Sequence, residues 1–314
     1  MATDLLLLAL GSVGLYFGAE WLVKGASGLA RAMGVSPLAV GLTVVAYGTS
    51  MPELMVSLVS AVQGKSALAL GNVIGSNIAN FGLILGITTL IAPPNVQHGL
   101  MRRELPAVFL SAAAVPVLLW DGRIGRVEGA LLLLGALWFT RITLRAVTPA
   151  GAAAHTDIEP PPKQGRLALA AFVLLGLVLL LGGGKLFVDG AVGIARTFGM
   201  SERLVGLTVV AIGTSLPELA ASVVAALRGH SEIAVGNVLG SNIFNVLLIL
   251  GATALAHPVD GQLATMRLDL LVMGGLTLLT AVSMRTARRI QRAEGALLVS
   301  AYAAFLIALA VQPH

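Results

Sequence analysis

The sequence predicts an all-α polytopic membrane protein whose ten transmembrane helices form two inverted five-helix repeats, with the second and seventh helices broken. Three observations carry this. Of 314 residues, 57% are hydrophobic and only 11% are charged, a composition too apolar for a water-soluble domain. The segment beginning at Gly41 is written again from Gly206, with about 30 of 46 positions identical and no gap, so the chain is an internal duplication. Each copy sets a proline and a glutamate inside an apolar run, Pro52-Glu53 and Pro217-Glu218.

The spans follow in order. Apolar runs long enough to cross a bilayer lie near residues 4–30, 37–62, 67–91, 105–120, 127–147, 167–195, 203–227, 232–256, 267–284 and 294–311. The first begins after Met1-Ala-Thr-Asp4, which lacks the basic region and cleavage site of a secretory signal, so it is expected to be an uncleaved span. The same 165-residue offset aligns Gly18–Ser36 with Gly183–Ser201, extending the repeat over about five helices. Five is odd, so the halves enter the membrane from opposite sides. Residues 1–147 form the first repeat and 167–314 the second. The intervening 148–166, with three consecutive prolines from Pro160 to Pro162, reads as a flexible cytoplasmic linker.

Location of the basic residues removes the nucleic-acid reading that a net charge of +5 would otherwise invite. With both termini outside, the cytoplasmic loops hold Arg31, Arg102, Arg103, Arg141, Arg145, Lys163, Arg166, Arg228, Arg285, Arg288, Arg289 and Arg292. The outer loops hold Lys65, Arg123, Arg126, Arg196, Arg203 and Arg267. That excess favours a multi-pass protein with both termini outside the cytoplasm. There is no cysteine, which excludes disulfides and thiol chemistry, and 37 glycines against 5% aromatics point to helices packed through small residues.

Gly48-Thr49-Ser50-Met51-Pro52-Glu53 and Gly213-Thr214-Ser215-Leu216-Pro217-Glu218 gather hydroxyls, a proline and an acid at mid-span. Proline removes a donor and displaces the carbonyl four residues earlier, breaking the helix. Carbonyls near the break, including those of Ala46 and Ala211, are expected to turn toward a cavity. Carboxylates, hydroxyls and carbonyls suit Na+ and Ca2+ rather than soft metals. Neither glutamate has a basic neighbour at helical spacing, which makes an intramembrane acid a functional residue by default.

The third and eighth spans repeat Gly-Asn-x-x-Gly-Ser-Asn-Ile-x-Asn. Asn72, Ser76 and Asn80 share a helix face, as do Asn237, Ser241 and Asn245. Two such stripes opposite two broken helices would make a midplane cation site. For Asn72, Asn77, Asn237 and Asn242, joining helices by hydrogen bonds stands beside ion binding as a reading. Gly71, Gly75, Gly236 and Gly240 read as packing positions. Glu20 with Lys24, and Lys185 with Asp189, are spaced for local ion pairs. Two carboxylates balance one Ca2+ or two Na+, so competition for one acid pair presented alternately to each side would give antiport.

The paired Gly-Thr-Ser-x-Pro-Glu and Gly-Asn-x-x-Gly-Ser-Asn-Ile signatures resemble the two alpha repeats of the Na+/Ca2+ exchanger family, of prokaryotic type, within the cation/Ca2+ exchanger superfamily. The resemblance covers nearly the whole chain. It implies that Glu53 and Glu218 are central Ca2+ ligands shared with Na+, and that Thr49, Ser50, Thr214, Ser215 and the carbonyls of Ala46 and Ala211 complete the sites. Ser76, Asn80, Ser241 and Asn245 would line the same cavity, and the first and sixth helices would slide as a gating pair over the other eight. Some members, including potassium-dependent ones, carry Asp where this chain has Asn245, which argues against a K+ requirement. No large regulatory loop is present.

The resemblance thus implies a secondary antiporter exchanging Na+ for Ca2+, with the transported ions and the bilayer as its partners and no cofactor, nucleic acid or obligatory protein partner. Ca2+/H+ or other cation/proton exchange on the same fold is the alternative. An intramembrane hydrolase using Ser50 or Ser215 is disfavoured because no His or Lys stands beside either serine as base. A channel would conduct without obligatory countertransport.

Overall fold

The computed structural model describes residues 1–96, 100–145, 164–200, 211–286 and 289–311. The expected linker therefore falls almost wholly outside the described residues, as does the beginning of the seventh span. Among the described residues, seven helices are long and apolar enough to cross a membrane: Ala2–Met33, Ser66–Ile91, Arg126–Arg145, Arg166–Thr197, Ser231–Ala256, Arg267–Arg285 and Arg292–Leu309. An eighth candidate, Pro37–Thr49 with Met51–Val62, is bent by 47° at a break, and Glu104–Leu118 and Leu216–Leu227 are shorter apolar helices.

Several begin or end for a local reason. Helix α1 (Ala2–Met33) stops at Gly34, whose φ of 68° lets its N–H turn back to the carbonyls of Ala30 and Arg31, a left-handed cap that glycine adopts without strain. Gly199, 165 residues on, has a φ of 77° and follows the end of α9 (Arg166–Thr197). Ser36 caps α2 (Pro37–Val40) by accepting the Ala39 N–H at 3.1 Å, with Pro37 in the first turn. The second span continues through a π-helical turn, Gly41–Val45, and α3 (Ala46–Thr49) to α4 (Met51–Val62). The third is α5 (Ser66–Ala79), a π-helical turn Asn80–Leu85 and α6 (Gly86–Ile91).

Two further helices, α7 (Leu100–Leu118) and α8 (Arg126–Arg145), complete the first repeat. The second repeats this grammar after α9 with α10 (Ala211–Thr214), α11 (Leu216–Leu227), α12 (Ser231–Phe244), a π-helical turn Asn245–Leu250 and α13 (Gly251–Ala256). It closes with α14 (Arg267–Thr286) and α15 (Arg292–Val311). Short antiparallel bridges, unforeseen in the sequence, tie the loops. Strand β1 (Arg123–Ile124) pairs with β2 (Val259–Asp260), and Asn95 pairs with Arg289. These bridges lie at opposite ends of α7 and α14, which pack together, and adding 165 carries one bridge to within a residue of the other.

The helices α1 and α9 run antiparallel with their backbones in contact. A Cβ at Gly18 would lie 2.6 Å from the Leu180 nitrogen, one at Gly25 2.7 Å from the Leu169 carbonyl, and one at Gly183 2.7 Å from the Leu15 nitrogen. Gly11, Gly18 and Gly25 recur every seven residues, as do Gly176, Gly183 and Gly190, which keeps the glycines on one seam. A second seam joins the repeats where α12 crosses the second span. Cβ atoms at Gly236 and Gly240 would approach the carbonyls of Leu38 and Leu42 to 2.8 and 2.6 Å. Residues 203–207, which the offset would set against Gly71 and Gly75, lie outside the described residues. Large apolar side chains such as Leu110, Val117, Leu131, Leu137, Leu174 and Leu278 are exposed on the outer surface, as lipid-facing residues must be.

Leucine at Gly183 cannot fit against the α1 backbone. Overpacking of this kind costs about 1–3 kcal/mol or more, so Gly183→Leu is expected to lower the detergent-solubilised protein's melting temperature by several degrees. An unchanged melting temperature would contradict the close α1–α9 seam.

Candidate cation site

The helix break that proline introduces sets the geometry. Ser50 leaves the helical region, with φ −84° and ψ 10°, and Ser215 does the same with φ −91° and ψ 4°. In each case proline follows in the first turn of the new helix, where its missing N–H costs nothing. The Ser50 N–H still reaches the Ala46 carbonyl at 3.1 Å, whereas the Ser215 N–H bonds to the Ile212 carbonyl at 3.1 Å. The Ala46 carbonyl also lies 3.5 Å from Thr49 Oγ1. Glu53 and Glu218 follow in the first turns of α4 and α11, each only 2% exposed.

The two breaks face one another across the repeats. Ser50 Oγ donates to Glu218 Oε1 at 3.1 Å and also lies 3.1 Å from Ser241 Oγ. Reciprocally, the Ser215 side chain hydrogen-bonds Glu53. Thr49 Oγ1 spans from the Val45 carbonyl, at 3.1 Å, to Asn237 Oδ1, at 3.2 Å. The carboxylates are near enough to repel one another. Neither makes an ion pair among the described residues, and Glu53 Oε2 and Glu218 Oε2 have no hydrogen-bond partner. A buried acid pair with free oxygens and no counter-charge is unfavourable until a cation or proton joins it.

The asparagines act as struts. Asn72 Nδ2 donates to the Glu53 carbonyl at 2.9 Å and to Ser57 Oγ at 2.8 Å; Asn237 Nδ2 donates to the Glu218 carbonyl at 3.3 Å and to Ser222 Oγ at 3.0 Å. Each amide fixes the turn that carries an acid. Ser57 and Ser222 were not singled out in the sequence, although they sit one turn beyond the acids. Ser76, Ser241, Asn80 and Asn245 are all buried, the asparagines at the starts of the two π-helical turns, a feature that recurs at functional sites.

Here the repeats diverge. Asn245 Nδ2 donates to Asn77 Oδ1 at 3.1 Å, and Asn77 Nδ2 lies 3.7 Å from Met273 Sδ, leaving Asn245 Oδ1 without a partner. Asn242, the counterpart of Asn77, instead bonds to the Val238 carbonyl of its own helix at 2.8 Å. Thr214, with Gly213, Pro217 and Pro52, lines a cavity of about 190 Å³ that reaches Gly184, Lys185 and Asp189 on α9. Of Ala211 only the backbone, at the start of α10, is described.

One expected local ion pair is absent. Glu20 pairs with Arg228 across the repeats at 2.6 Å, while Lys24 lies 4.5 Å from the centre of the Phe172 ring. Spacing permits an i, i+4 pair, but here a guanidinium and a ring from other helices supply the partners. Lys185 does pair with Asp189 at 2.7 Å.

A family model described as sodium/calcium exchanger protein matches residues 3–144 and 168–311. The putative antiporter CaxA of Alkalimonas amylolytica is 40% identical over 309 residues, covering 96% of this chain and 97% of that one. The sodium/calcium exchanger MaX1 of Methanosarcina acetivorans is 32% identical, covering 98% and 99%. Among solved structures, the sodium-calcium exchanger NCX_Mj soaked with 2.5 mM Na+ and 0.1 mM Ca2+ superposes with a TM-score of 0.83 at 30% identity, covering 99% of each chain.

Replacing Asn237 by leucine strands the Ser222 hydroxyl and removes a bond to the Glu218 carbonyl. At about 1–3 kcal/mol for a buried polar group left unpaired, Asn237→Leu is expected to lower the melting temperature measurably, and an unchanged value would deny the strut.

Proposed function

The chain belongs to the sodium/calcium exchanger family, and on that premise we propose that it exchanges Na+ for Ca2+ across the plasma membrane by alternating access to Glu53 and Glu218. The observation that carries this is the pair of buried carboxylates, each held by the other repeat's serine and each keeping an oxygen without a partner. Two negative charges balance one Ca2+ or two Na+, and filling the same pair by either ion couples their movements. Hydroxyls of Thr49, Ser50, Thr214, Ser215, Ser76 and Ser241, the amide oxygens of Asn80 and Asn245, and the carbonyls of Ala46 and Ala211 supply the remaining hard oxygen donors.

The architecture we assign is ten transmembrane helices in two inverted five-helix repeats. The apolar helices at all ten expected positions, the doubled caps and the bridges at opposite ends of α7 and α14 support it. In this reading the closely packed α1 and α9 move together over the remaining helices to open one face and then the other. The distribution of Lys and Arg supports termini outside the cytoplasm. Transport requires the ions and the bilayer, with no cofactor and no protein partner.

Vesicles containing the purified protein and loaded with Na+ are expected to accumulate Ca2+ when diluted into Na+-free buffer, and Glu53→Gln or Glu218→Gln to reduce the initial rate by at least about tenfold, the effect of about 1.4 kcal/mol. Uptake that ignores the Na+ gradient but follows an imposed pH gradient would assign H+ as the driving ion. Unimpaired uptake by either glutamine variant would remove that acid from the site.

A further inference from the structure

An ion pair joins α1 to the end of α11 away from the acid pair. Both Nε and Nη2 of Arg228 reach Glu20 Oε1, at 2.7 and 2.6 Å, and Tyr16, one turn earlier on α1, also lies against the guanidinium. The pair sits toward the face where the interrepeat linker attaches. There Arg166, at the start of α9, donates to the Ala32 carbonyl at the end of α1 at 2.8 Å, and His230 lies near Arg31, its pKa lowered by burial and then by that guanidinium.

Around this pair α1 lies along α11 and covers it, so Val224 is 8% exposed. The offset of 165 maps this contact onto α9 and α4, which do not pack in that way, and Val59, the counterpart of Val224, is 48% exposed. The cavity beside the two breaks is lined from α9, reaching from Pro52 and Pro217 to Lys185 and Asp189. Val59 lies two turns beyond Pro52 on the same helix face, continuing the uncovered strip away from the linker face. The α1–α11 contact is closed and its repeat-related counterpart is open.

The same mapping carries Glu20 to Lys185 and Arg228 to Gln63. A lysine and a glutamine cannot form an ion pair. Lys185 is engaged by Asp189 of its own helix at 2.7 Å, and Gln63 Oε1 accepts from Lys65 Nζ at 3.0 Å. Covering α4 with α9 would therefore give up the Glu20–Arg228 pair and gain no ion pair at the equivalent place. We infer that Glu20 and Arg228 form a one-sided ion latch, which closes the passage on the linker face and biases the carrier toward the state open at the opposite face. This rests on the alternating-access reading above. Glu20 and Arg228 are 23% and 54% exposed, so solvent screening limits the bias to on the order of two- to fivefold.

The chain has no cysteine, so single cysteines can report each passage in the full protein in vesicles. With the pair intact and no Na+ or Ca2+ present, a membrane-impermeant maleimide applied to both faces should modify Val59→Cys readily and Val224→Cys slowly. Adding Glu20→Gln or Arg228→Gln should raise Val224→Cys labelling about two- to fivefold and lower that of Val59→Cys. The exchanged pair Glu20→Arg with Arg228→Glu should restore the original ratio, which general damage to packing would not allow. Labelling unaltered by both glutamine variants, or altered but not restored by the exchange, overturns the latch. Labelling is read without transport, so the expected shift in protein that moves no Ca2+ would sustain the latch and overturn the transport reading instead.

Discussion

Two buried carboxylates with no counter-charge among the described residues impose the constraint that organises this protein. Burying one ion in a low-dielectric interior costs several kcal/mol even after relaxation, and Glu53 and Glu218 add mutual repulsion to that cost. The surrounding structure offsets the cost without neutralising the pair. Ser50 and Ser215 donate across the repeats to the opposite acid, and Asn72 and Asn237 fix the backbone that carries each one. What is left over, an acid pair with two oxygens without partners, is the energetic deficit that a cation or proton can meet.

Holding the acids together demands that the repeats approach closely. Glycine makes this possible at two seams, along α1 and α9 and where Gly236 and Gly240 of α12 meet the second span. Lipid offers no hydrophobic drive for joining helices, so backbone proximity and interhelical hydrogen bonds carry the association. A seam with little side-chain interdigitation also suits the movement proposed for this helix pair.

Duplication alone would make the two halves equivalent, and the differences between them are informative. Asn77 steadies Asn245, whereas Asn242 bonds within its own helix and leaves Asn80 to its own surroundings. Glu20 has Arg228 across the repeats, whereas Lys185 has its own helix's Asp189. Val224 is covered while Val59 is open. A carrier built from equal halves would favour neither face; these departures are where a preference can enter.

The sequence by itself determined the membrane class, the duplicated plan, nearly all helix positions and the place of the two acids in the chain, because apolar run length, internal repetition and Pro-Glu breaks are signals that read the same in any context. It could not establish that Glu20 prefers Arg228 to Lys24, or that Asn72 and Asn237 brace the acids. Helical spacing admits several partners, and selection among them depends on which side chains distant segments bring within reach. The bridges between Arg123 and Asp260 and between Asn95 and Arg289 were equally invisible, since two-residue strands carry no periodicity. Only the tertiary structure decided that Ser50 serves Glu218 and Ser215 serves Glu53, because a hydrogen bond between residues more than 160 positions apart exists only once both breaks meet inside one low-dielectric core.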